Sequence, residues 1–299
     1  MKKSFDVVGF GALNLDRLYR VDRIAEPGEH EKILEAFEAP GGSAANTVAG
    51  LARLGLKTGF VGAVGNDSAG EVLLGDFRKR KVDVKGVKVY NSSSGTIIGF
   101  IDSCGERTLY PFPAANNLLQ EKDVRADIIR KAKILHMTSF VGDKQFGLQK
   151  KIINKLGDTI LSFSPGDLYT RKGLSALRPF IKKSGIVFLN DSEIRQLTSK
   201  GYIEGANILL SEGADMVVVT LGELGSYVAT EKESHHVPAK KTKPIDTTGA
   251  GDAYAAGFLY SIIRGKTIRD AARNGNKSAS VCIMGVGART LLACAKDLK

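Results

Sequence analysis

The stretch Ile245–Phe258, I-D-T-T-G-A-G-D-A-Y-A-A-G-F, decides how the rest of the chain is read. A strand-like run ends there, Thr247-Thr248-Gly249-Ala250-Gly251 makes a tight turn, and an Ala-rich segment of helical composition follows Asp252. Such a turn delivers backbone N–H groups to a helix N-terminus, where unpaired donors and the positive end of the helix dipole suit an anion such as phosphate. A carboxylate beside those donors repels the anion, unless it takes a proton from the group that attacks. Two readings are open at this point. In one, the stretch transfers a phosphoryl group to a hydroxyl with Asp252 as general base. In the other, Asp252 complements a helix N-terminus and the glycines only turn the chain.

Working outward, 299 residues suffice for one large α/β domain or two small ones. A hydrophobic content of 43% and a charged content of 25% are ordinary for a globular protein. The net charge of +11 welcomes an anionic ligand without identifying it. The basic residues fall in short groups (Arg78–Lys81, Lys150-Lys151, Lys182-Lys183, Lys240-Lys241) with no long arm and no interleaved aromatics. That pattern argues for a solvated surface and against a nucleic-acid partner. Cys104, Cys282 and Cys294 are far apart and form no C-x-x-C, so neither a zinc site nor a disulfide framework is indicated and a reducing cytoplasm fits. Met-Lys-Lys followed by Phe5–Leu13 has the outline of a short signal peptide, but Asn14 and Asp16 cut the apolar run and no cleavage site follows. No apolar stretch is long enough to span a bilayer.

Phe5–Gly9 reads as a buried parallel strand. Gly9-Phe10-Gly11-Ala12-Leu13-Asn14 then opens like G-x-G-x-x-G, but Asn14 stands in place of the third glycine and no helix pattern follows, so a dinucleotide fingerprint is rejected. Asn14 and Asp16 sit at a strand exit, a usual place for ligand groups, with turn chemistry as the other reading. Leu18–Phe37 alternates weakly and reads as an extended excursion or a hairpin, with Pro27-Gly28 as its turn. Pro40-Gly41-Gly42-Ser43-Ala44-Ala45-Asn46 leads into a helix over Thr47–Leu54, with Gly55 as its stop. The glycine pair permits close backbone approach, and the helical pattern turns Asn46 inward, where its amide needs a backbone or ligand partner.

Thr58–Val64 reads as strand, Asp67–Lys79 as helix and Val82–Val89 as strand. Gly95–Ile101 and Arg107–Phe112 form two further strands around a turn at Asp102–Glu106, and with residues 18–37 they make a small separate sheet inserted into the main fold. Regular alternation follows: helix Glu121–Lys131, strand Ile134–Met137, helix Asp143–Leu156, strand Thr159–Phe163, helix Leu174–Lys182, strand Ile186–Leu189 and strand Met216–Thr220. This predicts a doubly wound, mainly parallel sheet with ligands at strand C-terminal ends, where Asn14, Asn190, Thr220 and Asp246 lie. Gly265-Lys266-Thr267 imitates the end of a P-loop, but Tyr260 occupies the first glycine position, and Thr267 with Asp270 fits a capping box instead.

In order along the chain, Gly11…Asn14…Asp16, Gly41-Gly42…Asn46, Asn190-x-x-Glu193, Thr220-Leu-Gly-Glu-Leu-Gly225, Asp246-Thr-Thr-Gly-Ala-Gly-Asp252 and Ala272…Asn276…Gly287-Ala288 resemble the ribokinase, or PfkB carbohydrate kinase, family over nearly its whole length. The resemblance implies one kinase domain over residues 1–299: a three-layer α/β/α, ribokinase-like fold with a small β-sheet lid from insertions near 15–40 and 95–112. It makes Asp252 the base, and Gly249, Ala250 and Gly251 the hole for the transferred phosphoryl group. It places Asn190 and Glu193 near the ATP phosphates and a hydrated Mg²⁺, which Glu193 holds indirectly. Thr220, Gly222 and Gly225 line the nucleotide site, with Asn276 beside the adenine. Asn14, Asp16, Gly41, Gly42 and Asn46 bind acceptor hydroxyls, and Arg107 is a lid contact, a surface ion pair being its other reading. Asp246 and the Thr248 carbonyl match a monovalent cation (K⁺) site, and the lid implies a homodimer.

Two positions depart from the family pattern: Ser164 stands where an Asp is common, with Asp167 three residues later, and Ser43 stands where ribokinases carry Lys. The expected activity is ATP- and Mg²⁺-dependent phosphorylation of an alcohol group on a small sugar. A nucleoside kinase is the alternative, with Phe10, Tyr19, Phe100, Tyr110 and Phe112 either walling the base or packing the lid. A non-catalytic nucleotide- or sugar-binding regulator is the reading outside the enzyme class, and the retained Asp252 and unbroken glycine turn speak against it.

Overall fold

The computed structural model describes residues 3–104 and 107–298. Its first strand shows why the main sheet needs a cover on both faces. In β1 (Phe5–Phe10), Val7 enters one hydrophobic core while Val8 and Phe10 enter another on the opposite face, as the two-residue period of a strand requires. β2 (Asn14–Arg20) and β3 (Glu35–Gly41) leave this sheet, and α1 (Ser43–Arg53) returns to it. β4 (Thr58–Gly65), α2 (Ser68–Lys79) and β5 (Asp83–Tyr90) follow, then β6 (Gly95–Ile101) and β7 (Arg107–Phe112). Short α3 (Ala126–Arg130) precedes a regular alternation: β8 (Ala132–Thr138), α4 (Asp143–Ile152), β9 (Ile160–Ser164), α5 (Gly166–Thr170), α6 (Leu174–Ile181), β10 (Ser184–Asn190), α7 (Asp191–Thr198), α8 (Tyr202–Ser211) and β11 (Met216–Thr220). β12 (Ser226–Thr230), β13 (Ser234–Val237), α9 (Ala250–Ile263) and α10 (Ile268–Cys282) complete the chain.

The main sheet runs β13-β12-β11-β10-β9-β8-β1-β4-β5. It is parallel from β11 to β5, with β12 and β13 antiparallel at one edge. β1 is flanked by β4 on one side and β8 on the other, so the order of winding reverses there, and a crevice opens at its C-terminal end. One core packs Val7, Ile134, Ile186, Phe188 and Val218 under helices α1, α2, α9 and α10. The other packs Val8, Leu135, Val187 and Val219 under α4, α6, α7 and α8, through Leu148, Leu177, Ile194 and Leu209. Each fully buried Leu or Phe contributes roughly 1.5–3 kcal/mol, so these two layers fix the sheet and leave only its C-terminal rim free for chemistry.

The second sheet, β3-β2-β6-β7, forms the small β lid over that rim. Its register is continuous, which assigns every side chain to a face. Asn14, Asp16 and Leu18 share one face with Phe37, Ala39, Gly41, Gly95, Ile97 and Gly99. Arg17, Tyr19, Ile98, Phe100, Tyr110 and Phe112 occupy the other, where Tyr19 and Phe100 ring centroids lie 5.7 Å apart.

Several elements differ from expectation. The helix anticipated over residues 121–131 is a 3₁₀ turn, Glu121–Asp123, and then α3, because Val124 is extended between them. α1 begins at Ser43, four residues early, since Gly42 caps it with a φ of 100°. The β12–β13 pair was not legible as a hairpin. The Thr267–Asp270 cap is present, Thr267 Oγ1 accepting the Asp270 amide at 3.1 Å. Gly105 and Glu106 of the anticipated turn lie outside the described residues.

Candidate active site

The N-terminus of α9 stands at the centre of the rim. Gly249 precedes it with a φ of 77°, and a Cβ there would lie 2.4 Å from Ala288 Cβ, so glycine is required on both conformational and steric grounds. The Ala250 amide bonds back to Thr247 at 3.2 Å, while the next amides of the first turn have no carbonyl to meet inside the helix. Asp252, in that same turn, is held through both carboxylate oxygens. Ser43 Oγ donates to Oδ1 at 2.6 Å and Asn46 Nδ2 to Oδ2 at 2.8 Å. Burial pushes the Asp252 carboxyl above the usual range; the two hydrogen bonds and the nearby Arg289 charge oppose that.

On one side of Asp252 lies a polar cleft under the lid. Gly41 and Gly42 are there for space: a Cβ at Gly41 would lie 2.1 Å from Asp16 Oδ2, and one at Gly42 2.2 Å from the Ala12 carbonyl. Asp16 is thus pressed against the Gly41 backbone, and its Oδ1 has no partner among the described residues. Burial raises its carboxyl to about 7, Arg289 drawing it down and Asp252 pushing it up. The Asn14 side-chain oxygen accepts from Asn116 Nδ2 at 3.0 Å, and Asn116 is itself locked to both the amide and carbonyl of Leu13. Behind the cleft sits Arg289, 6% exposed. It donates from Nε to Asn46 Oδ1 at 2.7 Å, from Nη1 to Asp76 at 2.7 Å and from Nη2 to the Gly41 carbonyl at 2.9 Å.

On the other side a cavity of about 830 Å³ reaches Gly251, with Thr220, Gly222, Gly225, Leu224 and Asn276 among its walls. That volume suits a ligand of nucleotide size. Asn276 uses its amide to hold the wall, donating to the Val237 carbonyl at 2.9 Å and the Pro238 carbonyl at 3.3 Å. Asn190 and Glu193 close a capping box on α7, with bonds of 2.8 Å and 2.9 Å, so their spacing has a structural reason whatever else they do. Burial raises the Glu193 carboxyl, and the charges of Asp167 and Asp252 add to this. Asp167 therefore places a carboxylate within electrostatic reach of Glu193 even though Ser164 stands in the strand.

The Asp246 carboxylate accepts the Thr248 amide at 2.8 Å, its hydroxyl at 2.6 Å and the Gly287 amide at 2.8 Å, and so ties the glycine turn to the segment after α10. Asn14, Asp16, Gly41, Gly42, Asn46, Asp252 and the glycine turn are thus brought together. Thr220, Gly222, Gly225 and Asn276 meet around the cavity instead. The Arg107 side chain lies outside the described residues. The aromatic wall imagined for a nucleoside base is not on the cleft side: Phe10 is sealed in the core against Phe140, and Tyr19, Phe100, Tyr110 and Phe112 are on the lid face opposite Asp16. Phe37 is the aromatic on Asp16's face of the lid strands. Sequence reading missed the roles of Ser43, Asn116, Asp76 and Arg289; a lone Arg directly after Gly287-Ala288 was the available signal for the last.

The family model for pfkB carbohydrate kinases matches residues 4–293. An uncharacterized sugar kinase of Archaeoglobus fulgidus is 36% identical over 243 residues, covering 80% of this chain and 96% of its own. The ribokinase of Thermotoga maritima superposes with a TM-score of 0.89 at 24% identity, over 98% of each chain. The Arabidopsis thaliana ribokinase, complexed with ribose and ATP, superposes with a TM-score of 0.87 at 23% identity over 100% of this chain and 98% of its own.

Proposed function

The chain belongs to the pfkB carbohydrate kinase family, and we propose that it transfers the γ-phosphate of ATP to a hydroxyl of a small uncharged sugar with Asp252 as general base. One observation carries this reading: Asp252 lies where the polar cleft under the lid meets the first turn of α9, and that turn opens onto the nucleotide-sized cavity. In this reading Asn14, Asp16, Asn46 and the Gly41-Gly42 backbone hold the acceptor hydroxyls. Asp252 receives the proton of the hydroxyl that attacks, its raised pKa bringing it nearer working pH than an ordinary carboxylate. The amides around Gly249–Gly251 offset the charge on the transferred group. When bound, Mg²⁺ with ATP supplies the phosphoryl group and the counter-charge.

The residues present fit those groups: oxygen donors at Glu193 and Asn190 suit a hydrated Mg²⁺, and the Asp246 carboxylate with the Thr248 carbonyl suits a hard monovalent cation. The four-stranded sheet acts as the lid of a single kinase domain spanning the chain. Its outward face, with Ile98, Tyr110 and Phe112 exposed, fits a second copy in a homodimer.

An uncharged acceptor is favoured because, among the described residues of the cleft, the one cation is Arg289, already engaged by Asp76, Asn46 and Gly41. A sugar is favoured over a nucleoside because Tyr19, Phe100, Tyr110 and Phe112 face away from Asp16, which leaves Phe37 as the aromatic of these lid strands on its face. The test is ADP release with hexoses, pentoses, sugar phosphates and nucleosides, run beside Asp252→Asn. Turnover is expected on at least one neutral sugar, with a loss of about 10²–10⁴-fold in the variant. Full activity of Asp252→Asn sinks the general-base assignment, and turnover confined to nucleosides sinks the sugar reading.

A further inference from the structure

We propose that Arg289 is a positioning residue for the transfer: one guanidinium orients the Asn46 amide onto Asp252 and pins the lid root at Gly41. The inference rests on the Asp252 reading above, and its geometry is specific. An arginine Nε can only donate, so Asn46 must turn its side-chain oxygen to Arg289, which leaves Nδ2 facing Asp252 Oδ2. An amide N–H aimed at a carboxylate favours the ionised form, which is the form a base needs. Nη2 meanwhile holds the Gly41 carbonyl at the end of β3, the same glycine against which Asp16 lies. Nη1 anchors the group to Asp76 on α2, which also accepts from Arg80 Nε at 2.8 Å, and the guanidinium lies 5.4 Å from the Phe77 ring centre. A residue serving the fold alone has its partner in Asp76; the other two bonds both run to the cleft.

Charge points the same way. Asp252 is faced by Asp16 from β2, Ser43 and Asn46 from α1, Glu193 from α7, the Cys282 thiol from α10 and Arg289. Arg289 is the cation that lowers the pKa of both Asp16 and Asp252. Without it the buried carboxylates stand uncompensated and Asp252 remains protonated to higher pH.

The experiment compares wild type, Arg289→Lys, Arg289→Met and the double variant Arg289→Met/Asp76→Leu, reading Tm, kcat, KM for each substrate and the pH profile of kcat/KM. The double variant removes the two buried charges together and leaves only Arg80, whose side chain reaches solvent, without its Asp76 partner, so it is expected to fold even where Arg289→Met strands Asp76. In the folded double variant kcat falls about 10²-fold with the ATP KM little changed, and the acid limb of the profile moves to higher pH. Arg289→Lys retains the charge but not the planar fork, so it keeps the acid limb near wild type while kcat stays depressed. A folded double variant with wild-type kcat and an unmoved acid limb overturns the proposal. Asp252→Asn separates this from the function itself: if that variant is inactive while the double variant is normal, only the Arg289 inference fails. If Asp252→Asn is fully active, the base assignment fails beneath it.

Discussion

The two sides of the α9 N-terminus are built in different materials. The cleft under the lid is wired by side chains: Ser43 and Asn46 hold the Asp252 carboxylate, Arg289 orients Asn46, and Asn116 holds Asn14. The cavity beyond Gly251 is lined by glycine turns, apolar residues and the exposed Lys240, Lys241 and Lys243, and its one buried amide, Asn276, works on the wall. Buried polar wiring discriminates sharply, because a ligand lacking the right hydroxyl leaves groups unpaired, whereas a wall of glycine turns, apolar surface and exposed lysines discriminates by shape and overall charge. Acceptor choice should therefore be strict and donor-site changes comparatively mild.

The strongest way to break that contrast is Asp252→Asn, expected to lower kcat by about 10²–10⁴-fold with the fold intact; circular dichroism beside steady-state rates checks both. Next is Asp16→Asn. Acceptor KM should rise about 10²-fold, since in the proposed function the variant removes a buried group that pairs with substrate. Stability should move the other way. A carboxyl whose folded pKa is about 7 against an ordinary 3.8 favours folding at low pH, and that contribution is lost as pH rises through this window. The Tm gain of Asp16→Asn over wild type should thus be larger at pH 8 than at pH 5, and an equal gain at both would show that Asp16 is not strained. Gly249→Ala forces an L-residue to a φ of 77° against Ala288 and should cost about 1–3 kcal/mol in urea denaturation, with kcat reduced beyond what the lost folded fraction explains. Smallest is Asn276→Ala on the cavity wall, which removes two bonds to the Val237–Pro238 segment. ATP KM should rise a few-fold, in line with about 1 kcal/mol, with acceptor KM unchanged; a larger effect than that of Asp16→Asn would reverse the contrast.

What the sequence made legible was local. The apolar runs at 5–9, 186–189 and 216–220 declare buried strands because both faces of a parallel sheet are covered, and Thr248-Gly249-Ala250-Gly251-Asp252 declares a helix start because glycine and turn chemistry act over a few residues. Asn46 announced itself as a polar group on an apolar stripe in need of a partner. Which partner was not readable, since the bonds from Asp252 and Arg289 join residues 206 and 243 positions apart. The 121–131 segment misled because its helical composition was overridden by Val124 turning extended. The β12–β13 pair, only five and four residues long, offered too short an alternation to see. The aromatic wall failed for a subtler reason: residue types were visible, but the face each takes depends on a register that only strand pairing sets.

That register has a consequence for how specificity can be altered in this protein. Because Asp16 and Arg17 point to opposite sides of β2 with no bulge between them, substitutions on the Arg17–Tyr19–Phe100 surface leave the Asp16 surface in register, and the reverse also holds. If the proposed acceptor cleft is right, point-substitution libraries confined to positions 14, 18, 37, 39 and 97 sample acceptor preference without disturbing the outward surface. Deleting a single residue between Leu15 and Leu18 would exchange the two surfaces for every residue beyond it on the strand, a change no substitution can imitate.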